Sequence, residues 1–150
     1  MGVRLNPDEL SEFLEKSHTG ILTTLRRDGF PVTLPTYFVA HEGRIYCATP
    51  IKAKKMARIQ NDPRASFLVE SGLAWAELKA VMLYGRVSVV EDQDLCDRIA
   101  ALIDNKYSAF RTASAKQPKA TQEHYAAIST LCFEPEGEPI SWDNAKIRLG

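Results

Sequence analysis

Residues 29–66 read GFPVTLPTYFVAHEGRIYCATPIKAKKMARIQNDPRAS. The first half is rich in β-branched and aromatic residues, which predicts extended chain from about Val32 to Val39 and again from Arg44 to Ala48. His41-Glu42-Gly43 supplies a turn between the two. Just upstream, Ile21–Leu25 also reads as a strand, and Arg27-Asp28-Gly29 is a hairpin turn in which Asp-Gly accepts positive φ. Three consecutive strands joined by tight turns predict an antiparallel meander rather than βαβ units. The second half changes character. Thr49-Pro50-Ile51-Lys52-Ala53-Lys54-Lys55 gathers a hydroxyl and three lysines where a strand gives way to a short helix, Ala53–Gln60, closed by Asn61-Asp62-Pro63.

Free N–H groups and the positive dipole end at a helix N-terminus suit phosphate. Lysines placed there oppose the dipole, so an anion is the natural partner to offset them. Spacing alone leaves a phosphate site and a solvated basic patch equally open. Pro35, inside Pro31-Val32-Thr33-Leu34-Pro35-Thr36-Tyr37, cannot donate to a ladder and marks an edge or a bulge. A bulge would leave backbone groups free for a planar ligand; taken alone, the pattern describes a plain edge strand.

The remaining chain reads as scaffold. Asn6-Pro7-Asp8-Glu9 starts a helix, with Asn6 as cap and Leu10, Phe13 and Leu14 as its apolar stripe. Arg64–Glu70 and Leu78–Val90 are strands, and Gly85 inside the second marks a bulge or a close backbone approach. Glu91-Asp92 caps a helix whose apolar face is Leu95, Ile99, Leu102 and Ile103. Ala109–Ala120 reads as a mobile loop and Thr121–Tyr125 as a helical turn. Ala127–Phe133 is a last core strand, with Ile140–Trp142 as an edge extension. Trp75 and Trp142 are core residues by default, or lids over a planar ring.

The 150 residues suit one domain, with no internal repeat and no dividing linker. Lys+Arg and Asp+Glu both number 19, which points away from nucleic acid and anionic membranes. Near-neutral charge favours self-association. Cys47, Cys96 and Cys132 form no CxxC and are expected reduced, as in a cytoplasmic protein. The start MGVRLNPDEL has no apolar core of a signal peptide, and no apolar run approaches the ~18 residues of a membrane span. His18, His41 and His124 are not spaced as metal ligands. P-loop, G-x-S-x-G and G-x-G-x-x-G patterns are missing from the sequence.

Three blocks, TGILTTLRRDGFPVTLPTYFV, IYCATPIKAKKMARIQNDPRASFLV and ISWDNAKI, resemble the FMN-binding split-barrel superfamily of the pyridoxamine 5′-phosphate oxidases. The likeness covers most of residues 10–147 and is closest to the flavin/deazaflavin-dependent oxidoreductase branch. It implies a mainly β fold, a six-stranded antiparallel split β-barrel with flanking short helices. It also implies a homodimer with the cofactor at the interface. Carried over, Thr49, Lys54 and Lys55, with the neighbouring Lys52, take the phosphate end. The Thr33-Leu34-Pro35-Thr36 segment faces the ring, and Trp142 approaches the cofactor, frequently from the partner chain. Tyr37 and Trp75 border a substrate pocket. Thr33 occupies the slot where a vitamin B6 oxidase carries arginine, and Asp143-Asn144-Ala145-Lys146 replaces that family's terminal Arg-Leu segment. Both departures argue against B6 oxidation and leave FMN or the deazaflavin coenzyme F-420. The expected function is hydride transfer between that cofactor and a small organic substrate. The alternative is a protein that binds a flavin, deazaflavin or tetrapyrrole without turnover.

Overall fold

The chain enters through a capped helix. In α1 (Pro7–Lys16) the Asn6 side chain accepts from the Glu9 N–H while the Glu9 carboxylate accepts from the Asn6 N–H, so two otherwise orphaned donors are satisfied. The computed structural model describes residues 3–147. Within them β1 (Gly20–Leu25), β2 (Pro31–Thr36), β3 (Val39–His41) and β4 (Arg44–Pro50) lead to α2 (Lys54–Asn61). Then follow β5 (Arg64–Ser71), β6 (Lys79–Val89), α3 (Gln93–Tyr107), α4 (Lys119–His124) and β7 (Ile128–Asp143). The strands form one antiparallel half-barrel in the order β2-β1-β5-β6-β7-β4-β3.

Among the described residues there are seven strands rather than six, because the extended run expected over Val32–Val39 is two strands. The expected meander is broken at the same place. β1 and β2 form a hairpin, and so do β3 and β4, whose turn has positive φ at both Glu42 (49°) and Gly43 (77°) as a type I′ turn requires. But β2 and β3 lie on opposite edges of the sheet. Tyr37-Phe38 carries the chain across. Phe38 is completely buried and packs edge-on against Phe67, with ring centroids 5.1 Å apart. Its backbone is satisfied by a side chain: the Phe38 N–H donates to the Tyr107 hydroxyl at 2.9 Å. That hydroxyl in turn lies 2.7 Å from the His18 carbonyl and 2.9 Å from the Phe38 carbonyl. Burial pushes the phenol up to about 12, so it remains a proton donor. Tyr107→Phe leaves the buried Phe38 N–H without its acceptor. A loss of about 1–3 kcal/mol is expected, to be read from urea unfolding; an unchanged midpoint would refute this role.

Pro35 sits on the edge strand, where its missing N–H is harmless. The β1–β2 register runs unbroken from Gly20↔Thr36 to Leu25↔Pro31, so the bulge considered there is absent. The irregularity lies between Met82 and Tyr84. Gly85 is instead a close approach: a Cβ there would stand 2.2 Å from the Glu134 carbonyl oxygen. The two C-terminal segments are one continuous 16-residue strand, β7, paired with β4 at its start and with β6 along most of its length. Residues 109–120, expected as loop, carry short 3-10 turns at Ser108–Phe110 and Ser114–Lys116, and Lys119 and Ala120 already open α4.

Inside the half-barrel Leu22, Phe38, Phe67, Val69, Val81, Leu83, Leu131 and Phe133 make the main core, closed by Phe13 and Leu14 of α1 and by Met56 and Ile59 of α2. A smaller cluster, Val39, Tyr46, Ile99, Ile103 and Tyr107, holds α3. On the other face, strand register aligns Pro35, Ile21, Leu68, Met82 and Ile140 in one apolar row across five strands. None of the described helices is long and apolar enough to cross a membrane.

Candidate cofactor site

Thr49 does not follow its strand; β4 continues through Pro50, and Thr49 lies opposite Ser129 of β7. Ile45, Cys47 and Thr49 alternate along one buried side of β4. The Thr49 side chain is 1% exposed, and its Oγ1 is buried with no hydrogen-bond partner among the described residues. A hydroxyl is both donor and acceptor, and leaving one buried and unmet costs about 1–3 kcal/mol.

Beyond Pro50 the chain turns, with the Ala53 N–H donating to the Pro50 carbonyl at 3.0 Å, and α2 begins at Lys54. No side chain caps this helix and no acid stands in its first turn. Such a start leaves N–H groups and the dipole uncompensated. Lys55 is half-buried, and desolvation, with Arg58 adding to it, holds its amine below the ordinary lysine range; nearby Cys47 acts the other way. Burial pushes the Cys47 thiol up to about 12, against the smaller opposing influence of Lys55 and of the Thr36 hydroxyl beside it. Lys55 of α2 and the Thr36 hydroxyl at the end of β2 therefore both lie near Cys47 of β4. A desolvated ammonium is costly without an anion, and the uncapped helix start and the orphaned Thr49 hydroxyl each lack a partner as well. The residues present fit a phosphorylated cofactor.

Lys54 turns to the other side of α2. With Arg26, Arg27, Val32, Ala57, Arg58 and Asn61 it lines a groove of about 410 Å³ between α2 and the β1–β2 hairpin. Four of these seven residues are cationic and none is acidic. Arg58 donates from Nε to the buried Thr24 hydroxyl at 2.8 Å, which fixes the helix to β1, and Arg26 pairs with Asp28 at the hairpin tip. Arg26, Arg27 and Arg58 escaped the sequence reading. The signal available was the Lys54/Arg58 spacing of i,i+4, which puts both on one helix face.

The other expected residues scatter. Thr33 shares a 2.9 Å hydrogen bond with Thr23 on the exposed side of the sheet. Leu34 is exposed on the edge strand, opposite Leu22, and Lys52 is exposed in the turn before α2. The Tyr37 ring stacks on Tyr107 at 3.9 Å and 12°. Trp142 (39% exposed) lies opposite Ala80, and Trp75 (56% exposed) sits in the 3-10 turn before β6, where its carbonyl accepts from Asn144 at 2.8 Å. These tryptophans share one end of the sheet. Thr49 lies opposite Ser129, thirteen positions back along β7 from Trp142. Thr49 and Trp142 therefore sit toward opposite ends of β7.

Comparison with known proteins agrees with this architecture. A conserved hypothetical protein from Mycobacterium tuberculosis superposes with a TM-score of 0.81 at 25% identity, over 99% of this chain and 94% of that one. An F420 reductase superposes with a TM-score of 0.64 at 19% identity, over 85% and 93%. HutZ, the heme storage protein from Vibrio cholerae, does so with a TM-score of 0.71 at 16% identity, over 93% and 95%. No curated protein matches the sequence. The family model for pyridoxamine 5′-phosphate oxidase matches residues 7–133, which run from the capped start of α1 into the first part of β7 and include every strand of the half-barrel in whole or part. The chain belongs to the pyridoxamine 5′-phosphate oxidase family.

Proposed function

We propose that this protein is a cofactor-dependent oxidoreductase that binds a phosphorylated deazaflavin, coenzyme F-420, in preference to FMN, and passes hydride between it and a small organic substrate. The observation that carries this reading is the unpartnered, buried Thr49 hydroxyl at the end of β4, together with the half-buried Lys55 at the uncapped start of α2. Thr49 and Lys55 hold the phosphate. The cationic groove of Arg26, Arg27, Lys54 and Arg58 favours F-420, whose phosphate is a diester extended by a carboxylate-bearing tail. The Thr33–Thr36 edge strand offers its free backbone groups to the ring. The cofactor supplies the hydride chemistry, and the protein supplies binding and orientation. The hydrogen-bonded Thr23–Thr33 pair, where a B6 oxidase carries arginine, speaks against vitamin B6 as substrate.

The apolar row Pro35–Ile21–Leu68–Met82–Ile140 supports a homodimer packed through this sheet face, since unpaired apolar area of this kind marks an interaction surface. In that dimer Trp142 reaches the cofactor site of the other protomer.

Thermal unfolding with F-420 and with FMN side by side tests the reading. A ligand at 100 times its Kd adds about 2.7 kcal/mol. The expected result is a clear rise in Tm with F-420 and a smaller one with FMN; no rise with either overturns the proposal. The reduced cofactor is then mixed with enones, quinones or biliverdin. Reoxidation faster than the protein-free control supports an enzyme, and an unchanged rate identifies a binding protein.

A further inference from the structure

The turn between β5 and β6 reads Gly72-Leu73-Ala74-Trp75-Ala76-Glu77. Its backbone is tightly held. The Glu77 carboxylate accepts from the Leu73 and Ala74 N–H groups at 3.4 and 3.3 Å, and the Trp75 carbonyl accepts from Asn144 at 2.8 Å. Gly72 sits at φ 97°, where a Cβ would stand 2.3 Å from the Glu77 carbonyl oxygen. Yet the apolar side chains on this rigid turn stand in solvent: Leu73 is 99% exposed, and Trp75 more than half. A second exposed aromatic group lies where the chain leaves β2. Tyr107 covers one face of the half-exposed Tyr37 ring, so the exposure is on the other. His18, itself exposed, stands edge-on to Tyr107 and to the exposed ring of Phe110.

We propose that these two groups are the facing walls of one substrate slot, Tyr37 from one protomer and Trp75 from its partner, and that the substrate is a flat, apolar ring compound; the slot presupposes both the homodimer and the oxidoreductase reading. Strand register sets the pairing. The apolar row Pro35–Ile21–Leu68–Met82–Ile140 has β5 at its middle. The next row on one side is Thr36–Gly20–Val69–Val81–Ser141, so Tyr37 and Trp142 extend the same flank from opposite ends of the face. Trp75 lies further along that flank, held by Asn144. The row on the other side is Thr33–Thr23–Ser66–Tyr84–Glu136. Two copies of one face pack isologously about a twofold axis. With the axis along β5, β2 of one copy rests on β7 of the other. Pro35 then meets the partner's Ile140, and Tyr37 meets the partner's Trp142 and Trp75. An axis across the strands would instead set Trp142 on the partner's Glu136 and Tyr37 on the partner's Thr33, burying rings against a carboxylate and a hydroxyl. The axis along β5 matches aromatic to aromatic at both ends of the face. Thr36, the residue before Tyr37, lies near Cys47, so the slot opens beside the strand that faces the cofactor ring. Two large, rigidly mounted rings with no formal charge suit a planar apolar ligand.

Trp142→Phe leaves Trp75 as the sole tryptophan, which makes its fluorescence a reporter in the apo protein. That protein should be a dimer by light scattering. Adding Leu68→Arg sets a charge against itself at the axis and should give monomers, in which acrylamide quenches Trp75 severalfold more strongly. Duroquinone, a flat ring, then serves as the ligand probe in equilibrium dialysis, with non-planar cyclohexanone as control. Duroquinone should bind the parent dimer. Tyr37→Ala and Trp75→Ala should each weaken it about tenfold, the worth of one aromatic stack, and leave cyclohexanone unaffected. A heterodimer of one Tyr37→Ala chain and one Trp75→Ala chain, purified through two different tags, separates shared walls from walls within one chain. Shared walls leave one slot intact and one doubly damaged, so half of the slots bind duroquinone with the parent's affinity. Walls within one chain damage every slot once, and no slot keeps that affinity. This last result overturns the proposal, as do a monomeric parent, equal quenching of Trp75 in the two proteins, or duroquinone binding no tighter than cyclohexanone. Every measurement is made without cofactor, so a failure to bind F-420 or FMN is distinguished from a failure of the shared slot.

Discussion

Lys55→Ala is expected to weaken binding of F-420 and of FMN by about ten- to a hundredfold, the range set by one charge-assisted hydrogen bond of about 1.5–3 kcal/mol. The apo fold should not suffer, because the variant removes an amine that is already partly desolvated and has no carboxylate partner among the described residues. Thr49→Val separates binding from stability more sharply. Valine suits a buried strand position and removes the orphaned hydroxyl. The apo protein should therefore be as stable as the parent or about 1 kcal/mol more stable, while cofactor affinity falls. Fluorescence titration gives affinity and denaturant unfolding gives stability. Undiminished affinity for both cofactors in both variants would remove Thr49 and Lys55 from the site. A Thr49→Val protein that unfolds more easily would show that the hydroxyl serves the fold instead.

Gly85→Ala should cost about 3 kcal/mol or more, at the upper end for overpacking. Its new Cβ would meet the Glu134 carbonyl oxygen at 2.2 Å, and backbone in the middle of a paired strand cannot swing aside as a side-chain tip can. At 2–4 °C per kcal/mol the melting temperature falls by roughly 6–12 °C. Gly43 provides the comparison. It lies in a turn at φ 77° with nothing near its Cβ, so Gly43→Ala carries only the left-handed backbone strain, about 1 kcal/mol. Calorimetry on the pair decides the matter. If Gly85→Ala melts within a degree or two of Gly43→Ala, the close approach of β6 and β7 is looser than described.

The local elements of this fold were legible because their causes are local. The Asn6/Glu9 capping box, the Asp28-Gly29 and Glu42-Gly43 turns and the Asp92 cap each depend on residues within four positions of one another. The thiol of Cys47 is different: it looked like one of three unremarkable cysteines, and only the tertiary structure buries it near Thr36 and Lys55. Arg27 and Arg58 line one groove because α2 folds back on the β1–β2 hairpin, a packing that the pattern of either segment does not encode.

The amino-acid sequence by itself determined the family and the β-rich class and singled out Thr49, Lys54 and Lys55 as candidates for the phosphate end, since these rest on motif, period and charge along a short run of chain. Only the tertiary structure decided that Tyr37-Phe38 crosses from one edge of the sheet to the other. That crossing depends on Tyr107, sixty-nine residues from Phe38, whose hydroxyl satisfies a buried backbone N–H that no strand partner can reach. Tertiary structure likewise separated Lys54 from Lys55. Adjacent residues on a helix point about 100° apart, so one lysine faces the cationic groove while its neighbour is drawn against Cys47.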